Sequence, residues 1–154
     1  MVPRTRSALV ATLVLVSVVA TGCKQWGPLE SSYNGSVRVR ANGSAYLERS
    51  QRAVNSLRLE DPSNDGNTVY ARTTFSWYYA DDPCYSIDGC PVKWHSDAPR
   101  STAEISNSIR TFKFTAPLHP LGLKVRVRAQ ACAQMGWPIP DSCSDEPAIA
   151  TFDY

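Results

Sequence analysis

The chain has 154 residues, 16 basic and 14 acidic side chains and a formal net charge of +2. This length supports one domain with a hydrophobic core rather than two. The near-neutral charge argues against a nucleic-acid partner, and 11 prolines with 8 glycines indicate frequent turns.

The first 22 residues have the three parts of a signal peptide. Arg4 and Arg6 form a short basic start, an apolar run extends from Ala8 to Ala20, and small residues precede Cys23. The apolar run is shorter than the ~20 residues that a membrane span needs. Residues 1–22 are therefore predicted to be an export signal.

The four residues Ala20-Thr21-Gly22-Cys23 resemble the lipobox of bacterial lipoproteins. In that family a peptidase cuts before the cysteine, and a diacylglyceryl group is attached to its sulfur. The resemblance implies a mature chain that begins at lipidated Cys23 and is anchored to the outer face of the bacterial cell membrane. The alternative is ordinary cleavage after the Ala-Thr-Gly triplet, which would give a secreted protein with a thiol at Cys23.

Lipidation of Cys23 would leave an even set of four cysteines, Cys84, Cys90, Cys132 and Cys143. In an oxidising compartment four cysteines indicate two disulfides. We expect Cys84–Cys90 and Cys132–Cys143, because each pair brackets one loop; a cross-link between the two loops is the alternative. The spacings lack the close pairs of a zinc site, so no metal is predicted.

Residues 23–52 are predicted to be the lipidated N-terminus and a tether that can include one hairpin. Asn34-Gly35 and Asn42-Gly43 are both hairpin-turn signals, and the residues between them, 36–41, alternate like a strand.

Beyond the tether, apolar residues recur with a period of two, which is typical of strands with one buried and one solvent-facing side. These alternating runs lie at residues 57–60, 69–78, 92–94, 112–114, 123–131 and 148–152. Thr102–Ser108 is the one weakly helical segment, and we predict a loop there. The pattern predicts an all-β fold, an antiparallel β-sandwich, over residues 53–154.

The order of these pieces resembles a fibronectin type III domain. Ser56–Leu59 is similar to its first strand, and Thr73–Trp77 is similar to its second, whose tryptophan lies in the core. The turn at Leu118-His119-Pro120 and the strand that follows, Leu123–Ala129, are the most specific match. Leu123 stands where the family has a corner tyrosine. The other matching pieces are the third strand, Pro91–Trp94, and Ser144–Pro147 before the last strand.

The resemblance implies that the loops at residues 80–91 and 131–146 emerge at the same pole of the sandwich. These loops contain all four remaining cysteines, and they carry Tyr85, Trp137 and Ile139. Apolar side chains in braced loops are typical of recognition sites, so we predict a binding surface of these three residues. The alternative is that the disulfides only brace long loops and that Trp137 folds back on the sheet.

No motif of a known catalytic site is present, and neither an enzyme activity nor a cofactor is predicted. His95, Ser96 and Asp97 are neighbours on one strand, so their side chains would not converge. Asp81, Asp82 and Asp88 have the ligand type that calcium prefers, but aspartates are common in turns. Basic residues on outward strand faces are interpreted as solvated: Arg38, Arg40, Lys124, Arg126 and Arg128.

The leading hypothesis is a non-catalytic, lipid-anchored module that binds an envelope or extracellular protein or glycan. The second hypothesis is an inhibitor of secreted proteases or other hydrolases that presents the 132–143 loop. An envelope hydrolase is the least favoured.

Overall fold

The computed structural model describes residues 22–81 and 89–154. These residues form ten strands: β1 (Lys24–Tyr33), β2 (Ser36–Glu48), β3 (Arg52–Glu60), β4 (Val69–Ala80), β5 (Val92–Ser96), β6 (Arg100–Ser101), β7 (Ile109–Pro117), β8 (Lys124–Ala133), β9 (Ser142–Cys143) and β10 (Ala148–Asp153). Within these two ranges, there is no helix with the length and apolar character of a transmembrane span.

The strands form two antiparallel sheets. One has four strands in the order β1-β2-β3-β7, and the other has the order β10-β8-β4-β5, with β6 beside β4 and β9 beside β8. One hydrophobic core contains side chains of both sheets. The predicted antiparallel β-sandwich is confirmed.

The core follows the alternation in the sequence. Leu57 and Leu59 of β3 and Phe75 of β4 have at most 1% of their surface exposed, and so do Val125 and Val127 of β8. Burying each of these side chains contributes about 1.5–3 kcal/mol. Trp77, which was predicted to lie in the core between the sheets, is only partly buried and packs against this core.

The segment predicted to be a tether is part of the sandwich. β1 pairs with β2, and β2 pairs with β3 over nine residue pairs from Arg40↔Glu60 to Glu48↔Arg52. Val39, Ala41 and Ala45 of β2 are buried in the core. A strand with a continuous partner and a buried face does not behave as a flexible linker. The domain therefore includes β1 and β2 and is not limited to residues 53–154.

The two Asn-Gly pairs of this segment have different structures. Asn34 and Gly35 both have positive φ, 51° and 77°, and they form the predicted hairpin turn between β1 and β2. Asn42-Gly43 was wrongly predicted to be a second turn and lies inside β2. A Cβ at position 43 would lie 2.1 Å from the Ser56 carbonyl oxygen, so the close approach of β3 requires glycine there.

The two cysteine loops do not share a pole. Because β4 and β8 are antiparallel, the end of β4 lies beside the start of β8, as in the pair Tyr78↔Lys124. The end of β8 lies beside the start of β4, as in Val69↔Ala133. The loop that follows β4 and the loop that follows β8 therefore leave from opposite ends of the sheet.

The shared-pole prediction was wrong because it counted Ser56–Leu59 as the first strand of the sandwich and so gave each later strand a position that is too early in the strand order. Ser56–Leu59, expected in the first strand, lie in β3, which has β2 as a further neighbour. Thr73–Trp77, expected in the second strand, lie in β4 of the opposite sheet. The difference comes from β2, which was predicted to be part of the tether but precedes β3 in the sheet.

We refer to the two ends of the sandwich by one residue each. The Cys23 end holds the start of β1, residues 49–51, the turn at 118–123 and Tyr154. The Trp137 end holds the 34–35 turn and the loops at 61–68, 102–108 and 134–141.

Candidate functional site

The loop at residues 134–141, which we call the Trp137 loop, is closed at its base by two pairs of residues. β9 returns antiparallel beside the end of β8, with Cys132 opposite Cys143 and Ala133 opposite Ser142. The predicted disulfide Cys132–Cys143 joins the first pair, whose Cα atoms lie 4.0 Å apart. The disulfide and the strand pairing together hold the base of the loop.

Hydrogen bonds attach this base to both sheets. The Tyr70 hydroxyl of β4 donates to the Asp141 carboxylate at 2.6 Å. The hydroxyls of Ser142 and Ser31 lie 2.7 Å apart and connect the loop to β1. The backbone N–H of Gln134 donates to the Thr68 carbonyl at 2.8 Å. The loop is therefore fixed on several sides.

The tip of the loop turns at Gly136, which has φ of 74°. The Ile139 N–H donates to the Gly136 carbonyl oxygen at 2.9 Å and closes the turn. Trp137 is 97% exposed and Ile139 is 43% exposed, whereas Met135 packs against the core. The alternative in which Trp137 folds back on the sheet does not hold.

Burial, together with the hydrogen bond to Asp141, raises the pKa of Tyr70 above its ordinary value. Burial disfavours the phenolate, and a phenolate cannot donate to the Asp141 carboxylate. The contact that attaches the loop to β4 therefore depends on a neutral tyrosine.

The remaining predicted site residues have different positions. Cys23 is exposed and, among the described cysteines, is outside any disulfide. Cys90 is disulfide-bonded, but Cys84 and Tyr85 lie outside the described residues. Their loop connects β4 to β5, and β4 ends and β5 begins at the Cys23 end of the sandwich. A single patch of Tyr85, Trp137 and Ile139 at one pole, as predicted, is not supported by this topology.

An aromatic stack at the Cys23 end was not foreseen from the sequence. The Tyr79 ring lies between the rings of His95 and His119, with centroid distances of 3.9 and 3.8 Å and nearly parallel planes. Beside it, Trp77, Pro117, Leu118, His119 and Pro120 line an apolar cleft of about 320 Å³. His119 is 40 residues from Tyr79 along the chain, so no local pattern could reveal this contact.

The three residues considered as a catalytic triad have separate partners. The Ser96 hydroxyl lies 2.8 Å from that of Ser76, and Asp97 pairs with Arg100 at 2.5 Å. The His95 ring lies 3.3 Å from Asp81, which itself pairs with Lys93 at 2.5 Å. Asp82 and Asp88 lie outside the described residues, and no group of three metal-binding side chains occurs within residues 22–81 and 89–154.

Comparison with known protein families, with known proteins and with solved structures finds no match to this chain.

Proposed function

We propose that the protein is a non-catalytic binding module, anchored through a diacylglyceryl group on Cys23 to the outer face of the bacterial cell membrane. Its partner is an envelope or extracellular molecule that the Trp137 loop contacts. The observation that carries this proposal is the 97% exposure of Trp137 on a disulfide-closed loop.

An exposed tryptophan on a fixed loop is suited to recognition. Tryptophan buries a large apolar area on contact, and it is enriched among the residues that dominate binding energies. The disulfide and the hydrogen bonds to Tyr70 and Ser31 already order the loop. Little conformational entropy would then be lost when a partner binds.

The position of the loop is compatible with a membrane anchor. Cys23 and Trp137 lie at opposite ends of the sandwich, and the ten residues of β8 between those ends span about 30 Å. A domain attached at Cys23 would hold Trp137 away from the lipid surface. No flexible tether is needed for this presentation.

Inhibition of a secreted hydrolase is the second candidate. A projecting loop whose base is closed by the Cys132–Cys143 disulfide has the rigidity that such inhibitors use. In this case the partner captured through Trp137 would be a hydrolase, and the protein would reduce its activity.

Site-specific photo-crosslinking in living cells tests the binding surface. A crosslinking amino acid at position 137 is expected to capture a discrete partner. The same residue at Leu121, which is 56% exposed at the Cys23 end, is the matched control. If both positions gave the same crosslinked products, or if position 137 gave none, the proposal that this loop binds the partner would be refuted.

The anchor is tested separately by intact-mass measurement of the native protein and by its partition into detergent. A diacylglyceryl mass on Cys23 is expected, and Cys23→Ser should abolish membrane association. An unmodified N-terminal Cys23 would refute the anchor but would leave the loop experiment valid.

A further inference from the structure

Two arginines lie side by side on the outward face of the six-stranded sheet. Arg126 and Arg128 are two residues apart on β8, which pairs with β10 on one side and β4 on the other. Val125 and Val127 next to them are fully buried, so the arginines point away from the core. Their Cα atoms are roughly 7 Å apart, as for any such pair in a strand.

These arginines differ from the three other residues that were predicted to be solvated basic residues on outward strand faces. Arg38 pairs with Asp65, Arg40 pairs with Glu30, and Lys124 pairs with Asp153. Among the residues that the structure describes, neither Arg126 nor Arg128 has a carboxylate within ion-pair distance. Glu146 accepts a hydrogen bond from Thr74 beside Arg128 but forms no ion pair with it.

The hydrogen-bonding capacity of the two guanidinium groups is also largely unused. The Nε atoms of both arginines are buried and have no partner within the described chain. Arg128 donates from Nη2 to the Ser96 hydroxyl at 3.2 Å, which is a neutral acceptor. Burial, and then the neighbouring charge of Arg128, lower the pKa of Arg126. Within residues 22–81 and 89–154, the fold thus places two like charges side by side without a counter-charge.

Aromatic contacts hold the first of these groups in place. The Arg126 guanidinium lies 4.2 Å from the Trp94 ring centroid, and Trp94 packs against Tyr78 at 5.1 Å. Stacking of this kind orders the planar fork of arginine, which matches carboxylate and phosphate groups. Less side-chain entropy would then be lost on binding an anion.

We propose that Arg126 and Arg128, ordered by Trp94, form a binding site for oxyanions carried by an anionic polysaccharide. Each arginine would bind one carboxylate or phosphate group of the polymer, and the Ser96 hydroxyl would contact a sugar hydroxyl. Arg126 and Arg128 are only partly buried, so an extended chain could contact both from the solvent side of β8. This site lies on β8 rather than on the Trp137 loop and does not depend on the proposed function.

The test uses the purified full-length chain in detergent, with binding measured by calorimetry against defined polymers. Polygalacturonate supplies carboxylates, a phosphodiester-linked glycan supplies phosphates, and neutral dextran is the negative control. We expect the protein to bind one of the two anionic glycans, with an affinity that decreases as the salt concentration rises. The glycan that binds more tightly shows whether the site prefers carboxylates or phosphates.

Variants decide whether the two arginines carry the affinity. Arg126→Gln and Arg128→Gln should each weaken binding about tenfold, the usual effect of losing one charge-assisted hydrogen bond. Arg40→Gln removes the same charge from the opposite sheet and should change the affinity less than twofold. Arg126→Lys keeps the positive charge but removes the planar guanidinium group, so it should also weaken binding. Melting temperatures verify that each variant is folded.

Three outcomes would overturn the proposal. The first is failure of the wild-type chain to bind either anionic glycan. The second is that the Arg126→Gln protein and the Arg128→Gln protein both bind the glycan as tightly as the Arg40→Gln control. The third is equal or tighter binding to poly-glutamate or to anionic lipid vesicles, which would assign the surface to a peptide or a membrane instead of a glycan.

Discussion

The hydroxyl of Tyr154 binds both backbone groups of His119. It accepts a hydrogen bond from the His119 N–H at 3.2 Å and donates one to the His119 carbonyl at 3.1 Å. Leu123, which stands where the fibronectin type III resemblance expects a corner tyrosine, is 55% exposed. The turn before β8 is therefore held by the last residue of the sequence rather than by Leu123.

Tyr154→Phe removes this contact while keeping the ring. Two neutral hydrogen bonds near the surface together contribute about 1–2 kcal/mol. We expect a melting temperature several degrees lower, measured by calorimetry, without a change in fold. A variant as stable as the wild type would show that water replaces both bonds at no cost.

The buried amide of Asn55 connects the two sheets. Its Oδ1 accepts from the Trp26 Nε1–H at 3.0 Å, and its Nδ2 donates to the Thr73 hydroxyl at 2.9 Å. Asn55→Ala should destabilise the domain by about 2–4 kcal/mol, because it leaves a buried indole N–H without a partner and opens a cavity. Asn64→Ala, at an exposed position, is the control for urea unfolding and should have little effect.

A chain truncated to residues 53–154 should not fold cooperatively. It lacks β1 and β2, so β3 becomes an edge strand that pairs only with β7, and the core loses Trp26, Val39 and Ala41. A chain that begins at Cys23 should give a dispersed amide NMR spectrum, whereas the truncated chain should not. Cooperative thermal unfolding of residues 53–154 would show that β1 and β2 are not needed for the fold.

Alkaline pH should destabilise the domain through two tyrosines. Burial is the main cause that raises the pKa of both Tyr70 and Tyr154 above the ordinary value of 10.0. The neutral phenols are favoured in the folded state, so their contribution is complete below about pH 10 and is lost as the pH rises through their higher folded-state pKa values.

Urea unfolding at about pH 8 and about pH 11 measures this loss. Tyr70→Phe should show a smaller decrease in stability between the two pH values than the wild type. Tyr33→Phe, beside the 34–35 turn, removes a tyrosine without changing either contact and is the matched control. An identical decrease in all three proteins would exclude a contribution from Tyr70.

The sequence alone determined the fold class and much of the core. Alternation at Leu57 and Leu59, and at Val125 and Val127, places one face of each strand in the core, and a period of two is a local property of the chain. Asn34-Gly35 likewise specifies its turn through its own backbone preferences. The Cys132–Cys143 pair was also predictable, because the two residues are close in sequence.

Only the tertiary structure decided which strands are neighbours and where the loops lie. Local alternation does not report strand order. Residues 36–41 were predicted to be a strand of the tether rather than of the sandwich, and the two cysteine loops were therefore wrongly predicted to share one pole. The contacts between Trp26 and Asn55, and between Tyr79 and His119, join residues that are distant in sequence. The contact of Arg126 with Trp94 likewise joins side chains from different strands.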